Sequence, residues 1–361
     1  MKRVFVFYCL ILTSILLPAQ NDKSTLLQKG KDLSDKAKEN IYTVIHNIGA
    51  TDTSYVEPNK YNYAFMLENS NWYEYYLFSS NEDTPQRLNI APNMSYKLGG
   101  YFGWRWIFLG WSININDLIG NRKYSKKKTE FGLSLYSPMI GGDIYFRKSG
   151  SDFKLRSTSG IFEDGQIPDY NIDISGFNVD IKGLNAYWVF NNKKFSYPAA
   201  YSQSSNQRKS AGSFIAGFSY SQHEIHFDHT KLPEPVLAKL SDALKFNEIN
   251  YSDYSLSFGY AYNWVFAKNW LADLSLTPAV AYKKSKIDQE EKSFPTLNNI
   301  NFDLITRAGI VYNNSKYFAG ASLVMHTYDY RTKNFYLNNS FGTIRVYAGF
   351  NFGKKKQYRD K

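Results

Sequence analysis

From Tyr61 onward the chain alternates apolar and polar residues with a period of two, as strands do when their faces meet different surroundings. In 254–266 the apolar set is Tyr254, Leu256, Phe258, Tyr260, Tyr262, Trp264 and Phe266. Ser255, Ser257, Gly259, Ala261 and Asn263 point the other way. Near the C-terminus Ile344, Val346, Ala348, Phe350 and Phe352 alternate with Thr343, Arg345, Tyr347, Gly349 and Asn351. In 87–97 the same reading puts Leu88, Ile90, Pro92, Met94 and Tyr96 on one apolar face. Strands of about 9 to 11 residues, apolar outward and small or polar inward, fit the wall of a transmembrane barrel. A soluble sandwich normally uses shorter strands and buries its apolar face. Aromatics at both ends of several apolar sets suit the two membrane interfaces.

The connections carry a second pattern. Gly99-Gly100, Ala267-Lys268-Asn269 and Asn313-Asn314-Ser315 predict tight turns. Long polar connections fall near residues 117–129, 150–175, 228–252, 285–299 and 329–340. Short and long connections alternate, as the two ends of an outer-membrane barrel require. The predicted fold is all-β, an antiparallel transmembrane β-barrel of about 12 strands, bounded at about 10 and 14 because 150–211 holds one strand or three. The predicted strands lie near 61–80, 86–98, 100–116, 129–137, 142–149, 184–203, 212–227, 253–267, 270–284, 299–313, 316–328 and 341–353.

Upstream the period changes. Leu26, Leu33, Ala37, Ile41, Val44 and Ile48 recur at helical spacing, with Lys29, Lys31, Lys36 and Lys38 between them. This predicts a short amphipathic helix within 21–48, either resting in the periplasm or the lumen, or acting as a plug or as an arm that engages a periplasmic partner protein. Before it, Lys2 and Arg3 lead an apolar run from Val4 to Leu17, which Pro18 and Ala19 break. That is the plan of a signal peptide, and the run is short of the about 20 residues a spanning helix needs. The expected organisation is a signal peptide at 1–19, a helical segment and linker at 20–60, a barrel at 61–353 and a basic tail at 354–361. The expected destination is the bacterial outer membrane, reached through the Sec pathway. Cys9 lies inside the signal, so the mature chain would carry no disulfide or thiol chemistry.

Composition agrees with that solvent. Tyr, Phe and Trp make up 17% of the chain, about twice an ordinary soluble share, while mean hydropathy is only −0.45. Barrel strands combine these traits because only alternate residues enter lipid. The net charge is +11, falling to +9 without Lys2 and Arg3. With no nucleic-acid motif present, the expected anionic partner is outer-membrane lipid and lipopolysaccharide.

Two segments resemble a known family: Tyr96 to Asn114, YKLGGYFGWRWIFLGWSIN, and Lys194 to Gly217, KFSYPAAYSQSSNQRKSAGSFIAG. They are similar to an uncharacterised family of outer-membrane barrels of anaerobic gut bacteria that is known only as a domain of unknown function. The resemblance covers roughly 50–353 and implies a barrel in the outer membrane, with no activity attached.

Candidate chemistry is sparse. Lys97, Asn263, Asp303, Arg307 and Arg345 fall on inward positions, where they line a water-filled path or pair into a network that fills the bore. Arg122, Lys123, Lys126, Lys127 and Lys128 form a basic run suited to lipopolysaccharide phosphates or to plain solvent. His223, His226 and His229 form an H-x-x-H-x-x-H array, but residues three apart on a strand face opposite ways. Only His226, Asp228 and His229, beyond a strand end, are weak metal candidates, so no metal or cofactor is expected. Ser221 and His223 share a strand face about 7 Å apart along the chain, as do Ser322 and His326 farther apart. A serine and histidine can form a hydrolytic pair, yet no G-x-S-x-G elbow accompanies them. Pro233 to Phe246 carries helical spacing through Val236, Leu240 and Leu244, as a loop helix or an inward-folded lid would.

The leading functional expectation is a small-solute pore or a lumen-occluded binding barrel. The alternative is a non-enzymatic outer-membrane scaffold or assembly protein, and a third reading is a lipid-acting hydrolase.

Overall fold

The computed structural model describes residues 50–93, 95–104, 107–115, 129–149, 152–162, 171–285 and 299–359. The signal peptide, the 21–48 helix and the basic run 122–128 lie outside the described residues.

Twelve strands form the wall: β1 (Tyr61–Ser80), β2 (Ser95–Trp104), β3 (Ile107–Asn114), β4 (Thr129–Tyr136), β5 (Ile140–Lys148) and β6 (Phe177–Val189). They continue as β7 (Ala211–Phe227), β8 (Glu248–Ala267), β9 (Trp270–Ser285), β10 (Ile300–Asn313), β11 (Tyr317–Arg331) and β12 (Phe335–Lys354). Except for β3 with β4, consecutive strands pair antiparallel, and β12 returns to pair with β1 from Phe335↔Ser80 to Lys354↔Tyr61. First and last strands thus meet, as a barrel requires. Between β3 and β4 no ladder is recorded among the described residues, but Lys97 of β2 reaches Glu130 of β4 across that gap.

The outward faces are apolar where the alternation put them. On β8, Leu256 is 70% exposed and Trp264 57%, while Ser255 and Asn263 are buried. From Tyr254 to Phe266 that face runs roughly 40 Å along the strand, or about 30 Å after a tilt near 40°. That height matches a bilayer core, so this exposure is lipid contact. No described helix is long and apolar enough to cross a membrane.

Several boundaries differ from the sequence reading. Gly99 and Gly100 lie inside β2 instead of at a turn, pairing with Glu68 and Leu67 on β1. The 87–97 run breaks at Asn93, giving a separate strand, Arg87–Pro92, above β2. The break switches facing, so Leu88 and Ile90 are fully buried while Tyr96 is exposed. The cause is that Arg87–Pro92 pairs onward with Phe153–Ser159, which lies within the 150–175 stretch read as loop. The expected strand 184–203 begins at Phe177 and stops at Val189, where an Asn191-Asn192 turn and Pro198 end the ladder. The expected long loop 329–340 shrinks to 332–334 because β11 and β12 extend past the membrane level.

One connection stands apart. At the end holding Tyr61, Lys354 and the tight turns after β8 and β10, residues 190–210 join β6 to β7. This segment folds inward and carries α1 (Tyr197–Tyr201), capped by Ser196 and started by Pro198. All five α1 residues are buried.

The wall tolerates no side chain at Gly259, whose Cβ would stand 2.1 Å from the Leu276 carbonyl oxygen and 2.6 Å from Thr277 Cα. Gly259→Val should therefore abolish the heat-modifiable folded band on gels. Gly132→Ala, whose nearest neighbour would be Trp72 at 3.8 Å, should keep it.

Candidate functional site

The bore is the feature that decides what the protein can do. All five inward candidates project into it, from β2 (Lys97), β8 (Asn263), β10 (Asp303, Arg307) and β12 (Arg345). They do not form one site. Asp303 and Arg307, four apart, take different partners.

Of the polar contacts in the bore, some span it and others join neighbouring strands. Arg307, 1% exposed, bonds Asp143 of β5, which also accepts from Ser134 Oγ at 2.7 Å and Asn185 Nδ2 at 3.0 Å. The Arg307 guanidinium lies 4.9 Å from the Tyr187 ring centre. Arg147 of β5 meets Glu74 of β1 at 2.6 Å and Glu130 at 3.5 Å. Lys283 of β9 bridges Asp253 at 2.9 Å and Asp303 at 2.8 Å. Arg345 stands 3.9 Å from Glu68. Tyr145 and Tyr328 hydroxyls join β5 to β11 at 2.8 Å. Removing one member of such a buried pair strands the other without solvent, which costs several kcal/mol.

The end with the tight turns is plugged. Tyr197 Oη bonds Ser275 Oγ at 2.6 Å, and Tyr201 donates to Asp273. Asn263 Nδ2 donates to the Ser196 carbonyl and to Gln207 Oε1, both at 3.0 Å. Outside the plug, Val56–Pro58 pairs with Ser205–Gln207 as a strap across the mouth. Glu57 meets Lys60 at 2.5 Å and also Arg208. Burial raises the Glu57 carboxyl, but these two cations and their hydrogen bonds outweigh it and hold the group below its ordinary 4.5.

The opposite end is lidded by carbon. The 228–247 loop, with α2 (Glu234–Leu237), points Val236, Leu240 and Leu244 into a cluster with Phe78, Phe177 and Phe227. Phe78 and Phe227 stack at 5.8 Å. Of the two readings of Pro233 to Phe246, the segment forms both a short helix and an inward lid.

Ser221 Oγ and His223 Nε2 lie 2.9 Å apart, and Asn339 approaches His223 Nδ1 at 3.3 Å. A base within hydrogen-bond reach of a hydroxyl is the geometry of an activated nucleophile. Ser221 is, however, 0% exposed, with His223 stacked on Tyr251 at 4.5 Å, so the described structure offers an acyl group no path to the hydroxyl. The pair ties β7 to β12. Ser322 and His326 are buried on neighbouring levels. His226 faces outward, opposite to His223, between Glu224 (3.1 Å) and Glu248 (3.9 Å). Asp228 accepts from Thr230, and His229 Nδ1 lies 3.4 Å from the Phe246 carbonyl, so the three weak metal candidates each engage separate groups.

The sequence reading missed Asp143, Arg147, Asp253, Asp273 and Lys283, all buried. Their signal was parity: each occupies the inward alternate of its strand. It missed α1 altogether.

Wall and outward apolar face together define a transmembrane β-barrel, the fold of outer-membrane barrels. The chain belongs to the family described as Domain of unknown function (DUF4421), whose model matches residues 50–352. It is similar to the outer membrane protease OmpT of Escherichia coli at 7% identity and a TM-score of 0.34, over 82% of this chain and 98% of that one. A bacterial polysaccharide outer membrane secretin matches at 10% and 0.28, over 81% of this chain and 99% of that one. The toluene transporter TodX of P. putida matches at 9% and 0.20, over 81% and 91%. No curated protein matches the chain.

Two outcomes are expected. Arg307→Ala should destabilise the barrel by about 3 to 5 kcal/mol in urea titrations, whereas Arg307→Met with Asp143→Asn should recover most of that loss. Because folding depresses the Glu57 carboxyl, its contact stabilises the strap fully above 4.5 and is lost as pH falls through the lower folded value. Limited proteolysis of 50–60 should quicken in acid, and Glu57→Gln should be fast and insensitive to pH over that range.

Proposed function

We infer that the protein is exported through the Sec pathway to the outer membrane and acts there as a closed, non-enzymatic barrel. It works through its ends and outer face, as a scaffold, instead of passing solute down its axis. The observation that carries this reading is the 190–210 plug, whose tyrosines and Asn263 bond to the wall on hydroxyl, carboxylate and amide partners. A loosely seated plug would leave these groups to water. The aromatic lid at the other end and the paired charges between favour the same reading. Of the pore and occluded forms considered from sequence, the occluded one is supported. Loop-end lengths favour a lid outside the cell and a strap in the periplasm.

Planar-bilayer recording of the refolded protein tests it. The intact chain should show no steady openings, and a variant with 192–208 replaced by a short Gly/Ser linker should open steadily. Steady openings of the intact chain, with selectivity altered by Arg345→Ala, would restore the pore.

A further inference from the structure

The outer face changes character one rung beyond the aromatic belt. On the loop side of the membrane, Leu184, Tyr220, Tyr254 and Tyr282 stand side by side on β6 to β9. Tyr220 and Tyr254 contact each other at 4.9 Å. The next rung, in the same register, is Lys182, Gln222, Ser252 and Lys284. Phe146 flanks Lys182 on β5. These residues, with Asn250, line a depression of about 260 Å³ in the wall. A lysine stands at either side of the Gln222, Ser252 and Asn250 groups, and the carboxylates of Asp180 and Glu224 also belong to its lining.

The charges around it are unequal in their freedom. Asp180 is ion-paired with Lys148 at 3.1 Å, while Glu224 shares a hydrogen bond with His226 at 3.1 Å. Neither Lys182 nor Lys284 has an ion-pair partner among the described residues, and both are exposed. Three strand spacings separate them, about 14 Å between backbones, so two flexible side chains can close on one ligand from both sides. Tyrosine rings sit at the level of lipid headgroups. A cation pair one rung outward, roughly 7 Å along the strand, stands where headgroup phosphates lie.

We propose that this depression binds the phosphorylated headgroup of an outer-leaflet lipid, with Lys182 and Lys284 clamping phosphate and Gln222, Ser252 and Asn250 bonding the sugar or glycerol hydroxyls. The site rests on the membrane placement inferred above. It explains why this outward rung carries two lysines without an ion-pair partner among the described residues, beside Gln222, Ser252 and Asn250. The clamp anchors the barrel's height and tilt in the outer leaflet.

The test uses the whole refolded protein in vesicles of phosphatidylcholine containing a bis-phosphorylated glucosamine lipid, or the same lipid with its phosphates removed. Native mass spectrometry after detergent extraction reads the lipid retained. The unaltered protein should retain the phosphorylated lipid, and K182A with K284A should weaken retention about thirtyfold, the share of two surface cations at an anionic headgroup. Lys333→Ala, in the turn between β11 and β12, should change nothing. Equal retention by the double variant, or equal retention of the dephosphorylated lipid, overturns the site. Displacement by inorganic phosphate at the lipid's own concentration identifies a free-anion site and overturns the lipid assignment. Protease resistance in the vesicles separates the two levels of inference. A chain that inserts without phosphate-dependent retention overturns the site alone. Failure to insert overturns the membrane placement and the site with it.

Discussion

A backbone crossing hydrocarbon must satisfy every N–H and C=O internally, and a sheet can do this only by closing on itself. The pairing of β12 with β1 along their whole length is therefore the contact on which the rest of the molecule depends. Closure sets the width. Twelve strands about 4.8 Å apart and tilted near 40° enclose a backbone radius of about 12 Å. One layer of inward side chains leaves a central column about as wide as a single helix. Such a column is too wide for wall residues to fill unaided and narrow enough to stopper. The protein fills it in three layers: aromatic lid, ionic middle and a plug built on α1.

The middle layer explains why burying so many charges is tolerable. Isolated, each ion would cost several kcal/mol to desolvate, and a paired one returns most of that only when geometry is good. Several pairs here are made across the bore, β10 to β5 for Arg307 and Asp143, β5 to β1 for Arg147 and Glu74. Neighbouring strands are already held by their ladders, so contacts between them add little restraint. Cross-bore pairs fix the section of the barrel and oppose flattening. Because side chains alternate faces, a strand slipped by one residue would turn its charges into lipid. The charged middle thus reinforces register, which an all-apolar filling would specify less strictly.

Most of the wall was legible because period two is a strong local signal: β7 to β10 lie within a few residues of their expected bounds. Reading failed where tertiary pairing overrode the local pattern. Leu88 and Ile90 continue the alternation that ends in Tyr96, and nothing local marks that the face reverses at Asn93. The reversal is imposed by a distant strand, Phe153–Ser159, which supplies the cap on that side. Gly99-Gly100 looked like a turn because glycine pairs usually mark one, but here both sit in a ladder. At the bore, parity identified Lys97, Asn263, Asp303, Arg307 and Arg345 as inward, yet partners lie on strands up to 164 residues away and cannot be read from spacing. Tyr197 and Tyr201 were hidden for another reason. Their segment was counted as strand, although Ser196 and Pro198 form a helix start.

The plug's position at the tight-turn end follows from how the chain closes. At that end the connections after β4, β8 and β10 are only a few residues long, so the mouth has no loops to cover it. Filling must come from one connection long enough to reverse into the bore, and 190–210 is that connection. Phe195, Tyr197 and Tyr201 of this connection share one buried cluster with Tyr187 and Ile215 of the strands it joins. Its C-terminal half, 205–207, turns an edge outward, which the strap at 56–58 pairs. The same strap precedes β1 directly, so the strand that seals the wall and the segment that seals the mouth are consecutive in the chain. Closure of the wall and closure of the bore are then coupled: β1 cannot leave β12 without drawing the strap from the plug.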